Sequence, residues 1–288
     1  MSIQLRTSLM SVLGELRHEP TAKRIRALVD GGTVVDSYAA LLVWEPRRVV
    51  PSYAVPVADL RAAVVPLGPA GSLATGPGGP LPEFSRRPVL DPSVPFAVHT
   101  APGTVADIRI GDTTRGGAAL VPDDPDLAGY VVLDFGAFDE WYEEDERTVA
   151  HPRDPFKRID VLESSRHVRI SLDGELLAES ARPRILHETF LPPRYYLPAD
   201  DVRAQLLPSP TRSLCAYKGQ ATYWSAVVGD APVADLAWSY QQPLDDALRV
   251  RGMVAFFDER VDVEVDGQLR ERPVTPWSRP PEPAGQRT

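Results

Sequence analysis

Apolar and polar residues alternate at period two along most of this chain, in short runs bounded by turn residues, and this predicts short antiparallel strands. Val168–Leu172 alternates, Asp173-Gly174 supplies a two-residue turn, and Glu175–Ser180 alternates back, the pattern of a β-hairpin. Arg184–Glu188 predicts another strand. Residues 221–228 set Thr222, Trp224, Ala226 and Val228 on one face; Gly229-Asp230 turns the chain and Ala231–Tyr240 returns. Residues 253–257 and 261–265 are the last strong strands, before a second turn at Asp266-Gly267. Helix signals are sparse. Three prolines within 192–198 remove donors and fix φ, whereas 199–207 predicts a two-turn helix with Asp200 and Asp201 in its first turn and Pro208 as its stop. Residues 244–250 predict a shorter helix. Ile3, Leu5, Leu9, Val12, Leu13 and Leu16, broken by Arg6 and Glu15, predict an amphipathic helix within residues 1–22.

The same signals occur twice. At a constant offset of 143 residues Asp30-Gly31 falls on Asp173-Gly174, Ser37 on Ser180 and Glu45 on Glu188. At an offset of 142, Tyr53 falls on Tyr195, Pro56 on Pro198, Asp59 on Asp201 and Arg61 on Arg203. A spacing held through turns and strands predicts a duplicated domain. The expected layout is a first copy over 23–146, a linker at 147–165 that packs between the copies, and a second copy over 166–272. The first copy carries a Pro- and Gly-rich insertion at 67–98, expected to be mobile, and a Pro-rich tail at 273–288 is expected to be disordered. The fold class is all-β with one short helix per copy, as compact barrels or sandwiches.

Composition narrows the function. Net charge is −9 over 288 residues, with no basic stripe, which argues against nucleic acid as a partner. Cys215 is the only cysteine, so no intrachain disulfide forms, and with it goes an expectation of a reducing, cytoplasmic setting. No stretch is apolar enough to span a membrane. The five histidines show no metal-ligand spacing, and phosphate-loop, dinucleotide and GxSxG signatures are missing, so neither metal nor cofactor is expected. A homo-oligomer is compatible with everything above. Of the basic residues only Lys23, Lys157 and Lys218 are lysines.

The copies differ where the second holds aromatic and basic residues: Arg194, Tyr195, Tyr196, Tyr217, Lys218, Trp224, Trp238 and Tyr240. The first has Ser52 for Arg194, Ala54 for Tyr196, His99-Thr100-Ala101 near Tyr217-Lys218-Gly219, Ala106 for Trp224 and Leu120 for Trp238. Rings with polar tips beside a lysine and an arginine suit a small planar or anionic metabolite. Trp224 and Trp238 serve equally as strand core, and Cys215 as a buried small residue. An enzyme is the alternative, with Lys218 as base or nucleophile and Glu188 tuning it, as is a protein-interaction module. Glu188 recurs as Glu45 in the copy without the lysine, which favours a structural ion pair.

The runs Leu191-Pro-Pro-Arg-Tyr-Tyr-Leu-Pro198, Tyr217-Lys-Gly219, Tyr223-Trp-Ser225, Trp238-Ser-Tyr240 and Gly252-Met-Val-Ala-Phe256 resemble the bacterial family catalogued as Domain of Unknown Function 427. The first half resembles the diverged partner in two-copy, typically actinobacterial members, through Tyr53-Ala-Val-Pro56, Ala128-Gly-Tyr130 and His151-Pro-Arg-Asp-Pro155. The resemblance implies a β-tent-like fold that cages small ligands or zinc between sheets, although this chain lacks the cysteine pairs of zinc-bearing members. The family's nucleotidyltransferase-like label finds no matching carboxylate pair here.

Overall fold

The computed structural model describes residues 2–70, 79–80 and 88–278. It divides into two compact units, the boundary falling between Asp154 and Pro155. The strands that build the first unit's two sheets are β1 (Arg17–Pro20), β2 (Ile25–Val29), β3 (Gly32–Ser37), β4 (Leu41–Trp44), β5 (Ser52–Pro56), β6 (Ala63–Pro69), β7 (Gly103–Ile110), β8 (Thr113–Pro122), β9 (Tyr130–Leu133), β10 (Glu140–Glu143) and β11 (Glu146–Thr148). Those of the second are β12 (Ile159–Glu163), β13 (Val168–Leu172), β14 (Glu175–Ser180), β15 (Arg184–Glu188), β16 (Arg194–Leu197), β17 (Leu206–Cys215), β18 (Gly219–Val228), β19 (Ala231–Tyr240), β20 (Val254–Phe256), β21 (Asp262–Val265) and β22 (Gln268–Leu269).

Each unit pairs a seven-stranded sheet with a four-stranded one. The large sheets run β1-β4-β5-β9-β8-β7-β6 and β12-β15-β16-β20-β19-β18-β17; the small ones run β3-β2-β10-β11 and β14-β13-β21-β22. The orders correspond strand for strand. Among the described residues the sheets stay separate, so each unit is a sandwich and not a closed barrel. The hairpin turns repeat too: Asp30 and Gly31 at φ 50° and 75°, Asp173 and Gly174 at 52° and 85°. Two successive left-handed residues match the twist of the flanking strands.

Period two sorts each large sheet into two apolar faces. The inner face packs on the small sheet: Ile25, Tyr53, Val55, Ile108 and Trp141 in the first unit, Ile170, Tyr195, Leu197, Phe256 and Val263 in the second. The outer face forms its own cluster: Leu41, Val43, Ala54, Leu120 and Val132, against Leu186, Tyr196, Trp238, Tyr240 and Phe257. Each fully buried Leu or Phe contributes roughly 1.5–3 kcal/mol. Beneath both sandwiches a serine hydroxyl donates to an aspartate, Ser37 to Asp59 at 2.6 Å and Ser180 to Asp201 at 2.7 Å, which explains why both pairs recur in the sequence.

Several expectations change in the folded chain. Only Ala199–Asp201 turns helically, as a 3-10 turn; the Arg203 and Ala204 amides bond to the Leu177 carbonyl and β17 starts at Leu206. Pro208, read as the helix stop, lies in β17, an edge strand that tolerates a missing donor. The N-terminal helix spans Leu5–Ser11 with no buried residue, and Arg17–Pro20 is already edge strand β1. Within residues 147–165, Arg147 and Thr148 complete the edge strand Glu146–Thr148 of the first unit and Ile159–Glu163 forms an edge strand of the second. In the insertion, β6 extends through Pro69 and Arg48 clasps the chain by donating to the carbonyls of Val94, Pro95, Phe96 and Val98. Its residues 71–78 and 81–87 lie outside the described residues. So do residues 279–288 of the tail, while Thr275 is buried and bonded. No helix among the described residues is long and apolar enough to cross a membrane.

Gly103 begins β7 where a Cβ would meet the Val121 carbonyl oxygen at 2.5 Å. Gly103→Ala is therefore expected to push β7 from β8 and cost about 1–3 kcal/mol, read as a lower urea midpoint.

Candidate functional site

Because Glu188 ends β15 two residues after Leu186, it faces outward on the large sheet of the second unit. Its carboxylate sits between two ammonium groups: Lys218 Nζ donates to Oε2 at 2.5 Å and Lys157 Nζ lies 3.2 Å from Oε1. Lys218 comes from the β17–β18 turn, where Gly219 takes φ 84° and its missing side chain admits Leu244 and the Gln242 carbonyl. The Lys218 and Glu188 side chains are only 12% and 9% exposed, so the pair is largely dry.

Around it the outer face supplies a polar and aromatic wall. Trp238 Nε1 donates to Tyr196 Oη at 3.0 Å, and the two rings meet edge to face. Tyr240 and Cys215 lie within electrostatic reach of Lys218, Cys215 half-buried and unpaired by any disulfide. Arg194, two residues before Tyr196 on the same face, makes a two-pronged ion pair with Glu259 at 2.8 and 2.5 Å, and its guanidinium stands 5.6 Å from the centre of the Trp238 ring.

Glu188, Arg194, Tyr196, Lys218, Trp238 and Tyr240 thus gather on one face. Tyr195 and Trp224 lie on the other, in the core against the small sheet, where Trp224 Nε1 donates to Ser239 Oγ at 2.9 Å. Tyr53 occupies the same inner position in the first unit, so the tyrosine kept by both copies is the one that fills a core. Tyr217 is buried beside Lys218 in sequence. Sequence reasoning passed over Lys157, Glu259 and Trp277. Only Lys157 left a usable signal: two of the chain's three lysines converge on one glutamate.

The electrostatics assign states. Burial pushes the Glu188 carboxyl up, but the two ammonium groups outweigh it and hold the carboxyl at about 2. Burial pushes Lys218 down, and Glu188 more than reverses this, leaving its amine well above the usual lysine value. Burial raises Tyr196 to about 12. Lys218 is a fixed cation. A lysine that acts as base or Schiff-base nucleophile needs the opposite shift.

The first unit treats its glutamate differently. Glu45 directly follows β4 and accepts from His99 Nδ1 at 3.1 Å and from the backbone amides of Thr100 and Ala101 at 2.7 and 3.0 Å. Burial raises its carboxyl, and the His99 and amide bonds lower it further than that. Ala54 and Leu120 fill the places of Tyr196 and Trp238.

Residues 160–267 match the sequence model of a family described as Domain of unknown function (DUF427). No curated protein matches the chain.

Two pH dependences follow. Since Glu188 ionises near 2 folded and near 4.5 ordinarily, its contribution is complete above about 4.5 and lost as pH falls toward 2. Glu188→Gln is expected to cost about 3–5 kcal/mol at pH 7 by stranding ammonium charge, a deficit in thermal unfolding that narrows at pH 3. Asp258 has the reverse sign. Burial lifts its carboxyl to about 7, against partial relief from Arg194, so the fold loses stability as pH rises from about 4 to 7. Asp258→Asn should raise the melting temperature at pH 8 more than at pH 4.

Proposed function

With its residues 160–267 belonging to the DUF427 family, we propose that the second unit binds a small anionic, planar metabolite on the outer face of its large sheet. The observation that carries this reading is the pair of ammonium groups, Lys218 and Lys157, on the single carboxylate of Glu188. Two cations against one anion leave a net positive charge in a largely dry setting, where a ligand carboxylate or phosphate gains most from charge-assisted hydrogen bonds. Lys157, at 22% exposure, is the more accessible of the two and marks the entry side. Tyr240 and Tyr196 place hydroxyls near the ammonium groups, and Trp238 supplies an apolar floor.

Binding is favoured over catalysis by the state of the pair. Lys218 within 2.5 Å of Glu188 meets the distance needed for an acid–base couple, yet both groups are held in their charged forms far from neutrality. A couple poised to exchange protons would sit nearer pH 7. A protein-docking surface would present its aromatics as a flat exposed patch, whereas Tyr196, Trp238 and Tyr240 are all buried.

The test is thermal shift of the full chain with acetate, benzoate, 2-naphthoate and inorganic phosphate. A compound at about 100 times its Kd is expected to stabilise the fold by roughly 2.7 kcal/mol, with the shift abolished in Lys218→Met. An equal shift in wild type and Lys218→Met would remove the site from this position.

A further inference from the structure

Arg194 has two tryptophans beside it. Its guanidinium lies 5.6 Å from the ring centre of Trp238 and 5.6 Å from that of Trp277. Glu259 takes two of its N–H groups in the guanidinium plane, which leaves the two flat faces for ring contacts. The rings are not equivalent. Trp238 belongs to β19 and is 8% exposed; Trp277 belongs to a single 3-10 turn, Pro276–Ser278, and is 41% exposed.

The short strap that carries Trp277 is anchored two residues before it, at Thr275, not through the indole. The Thr275 hydroxyl donates to Glu259, and the Thr275 and Trp277 amides bond to Ser278 Oγ at 3.0 Å and Thr275 Oγ1 at 3.1 Å. The indole itself rests on the guanidinium with much of its surface in water. In the first unit Ser52 stands in Arg194's place, so no cation there offers a face for a ring.

Charge differs along the same face. At the Lys218 end two ammonium groups meet one carboxylate; at the Arg194 end one guanidinium meets Glu259 and the more distant Asp258, at 4.0 Å. Tyr196 and Trp238, bonded to each other, join the ends. A ligand that matches this polarity has its anionic group at the lysines and an uncharged ring over the arginine.

Resting on the anion-binding reading above, we propose that Trp277 is a displaceable stand-in for the ligand's ring, so that the site takes a planar aromatic acid and the C-terminal strap competes with it for Arg194. Ligand entry then swaps one ring–guanidinium stack for another, while the Thr275–Glu259 contact keeps the strap attached.

Titration calorimetry of the full-length chain tests this with acetate and 2-naphthoate on wild type, Trp277→Ala, Trp277→Phe and Lys218→Met. Removing a competitor that covers the site most of the time raises apparent affinity by the reciprocal of the open fraction. Trp277→Ala is therefore expected to bind 2-naphthoate about 5-fold tighter, with acetate unchanged and Trp277→Phe close to wild type. Unchanged or weaker naphthoate binding in Trp277→Ala overturns the competition, since Trp277 would then be a fixed cap or part of the wall. In that case loss of both acids in Lys218→Met would leave the anion-binding reading standing. Failure of both acids to bind wild type and Trp277→Ala would overturn the two readings together.

Discussion

A carboxylate taken out of water must find compensating charge or hydrogen bonds, because its desolvation costs several kcal/mol. Both units place a glutamate at the end of an equivalent strand, Glu45 just after β4 and Glu188 as the last residue of β15, and much around each is arranged to satisfy it. In the first unit a histidine and two backbone amides do so, with the Arg48 guanidinium 3.7 Å away, and the connection through His99, Thr100 and Ala101 is fixed in place. In the second unit two lysines do so, one from the turn after β17 and one from the segment before β12. Amides cannot leave their carboxylate without unfolding the loop. Lysine ammonium groups can turn toward another anion. The same constraint therefore yields a joint closed largely by backbone amides in one unit and a cluster of two ammonium groups on one carboxylate in the other.

The outer face shows how a repeated scaffold diverges without losing its fold. The inner faces keep near-equivalent packing, down to Tyr53 and Tyr195 in matching places, because two sheets must fill the same gap in each unit. The outer faces are freer. Ala54 and Leu120 in one unit stand where Tyr196 and Trp238 stand in the other. Aliphatic packing is complete in itself. Tyr196 and Trp238 bring polar tips that bond to each other, and Arg194 brings a charge that draws in Glu259 and the Thr275 strap.

Burial pushes the carboxyls of Glu188 and Asp258 up alike, and the cations each one faces decide whether that push is overcome. Glu188 faces two cations and is held ionised, whereas Asp258 shares Arg194 with Glu259 and is left the weaker partner. Arg194 satisfies Glu259 through two short bonds and lies 4.0 Å from Asp258. Burial raises the Asp258 carboxyl, and the longer distance to Arg194 leaves that rise only partly offset, whereas the short bonds to Arg194 hold Glu259 down.

Local pattern was enough for the strands, the Asp-Gly turns and the repeat, because period-two alternation and left-handed turn residues depend on neighbours in the chain. It also drew attention to Arg194, Tyr196 and Trp238, which differ from Ser52, Ala54 and Leu120 in the other copy. It misread residues 199–207, where an acidic first turn and a following proline imitate a helix; pairing of Leu206–Cys215 at a sheet edge overrides that local preference. Which face a residue joins was decided by tertiary structure: Tyr195 and Tyr196 are adjacent, yet one fills the inter-sheet core and the other the outer cluster. Lys157, Glu259 and Trp277 come to Glu188 and Arg194 from segments without a pattern of their own, the first two as ionic partners and the third as a ring beside the guanidinium. The chain's sequence determined its strands and its asymmetry; only the fold decided what each charge would face, because that partner comes from a distant part of the chain.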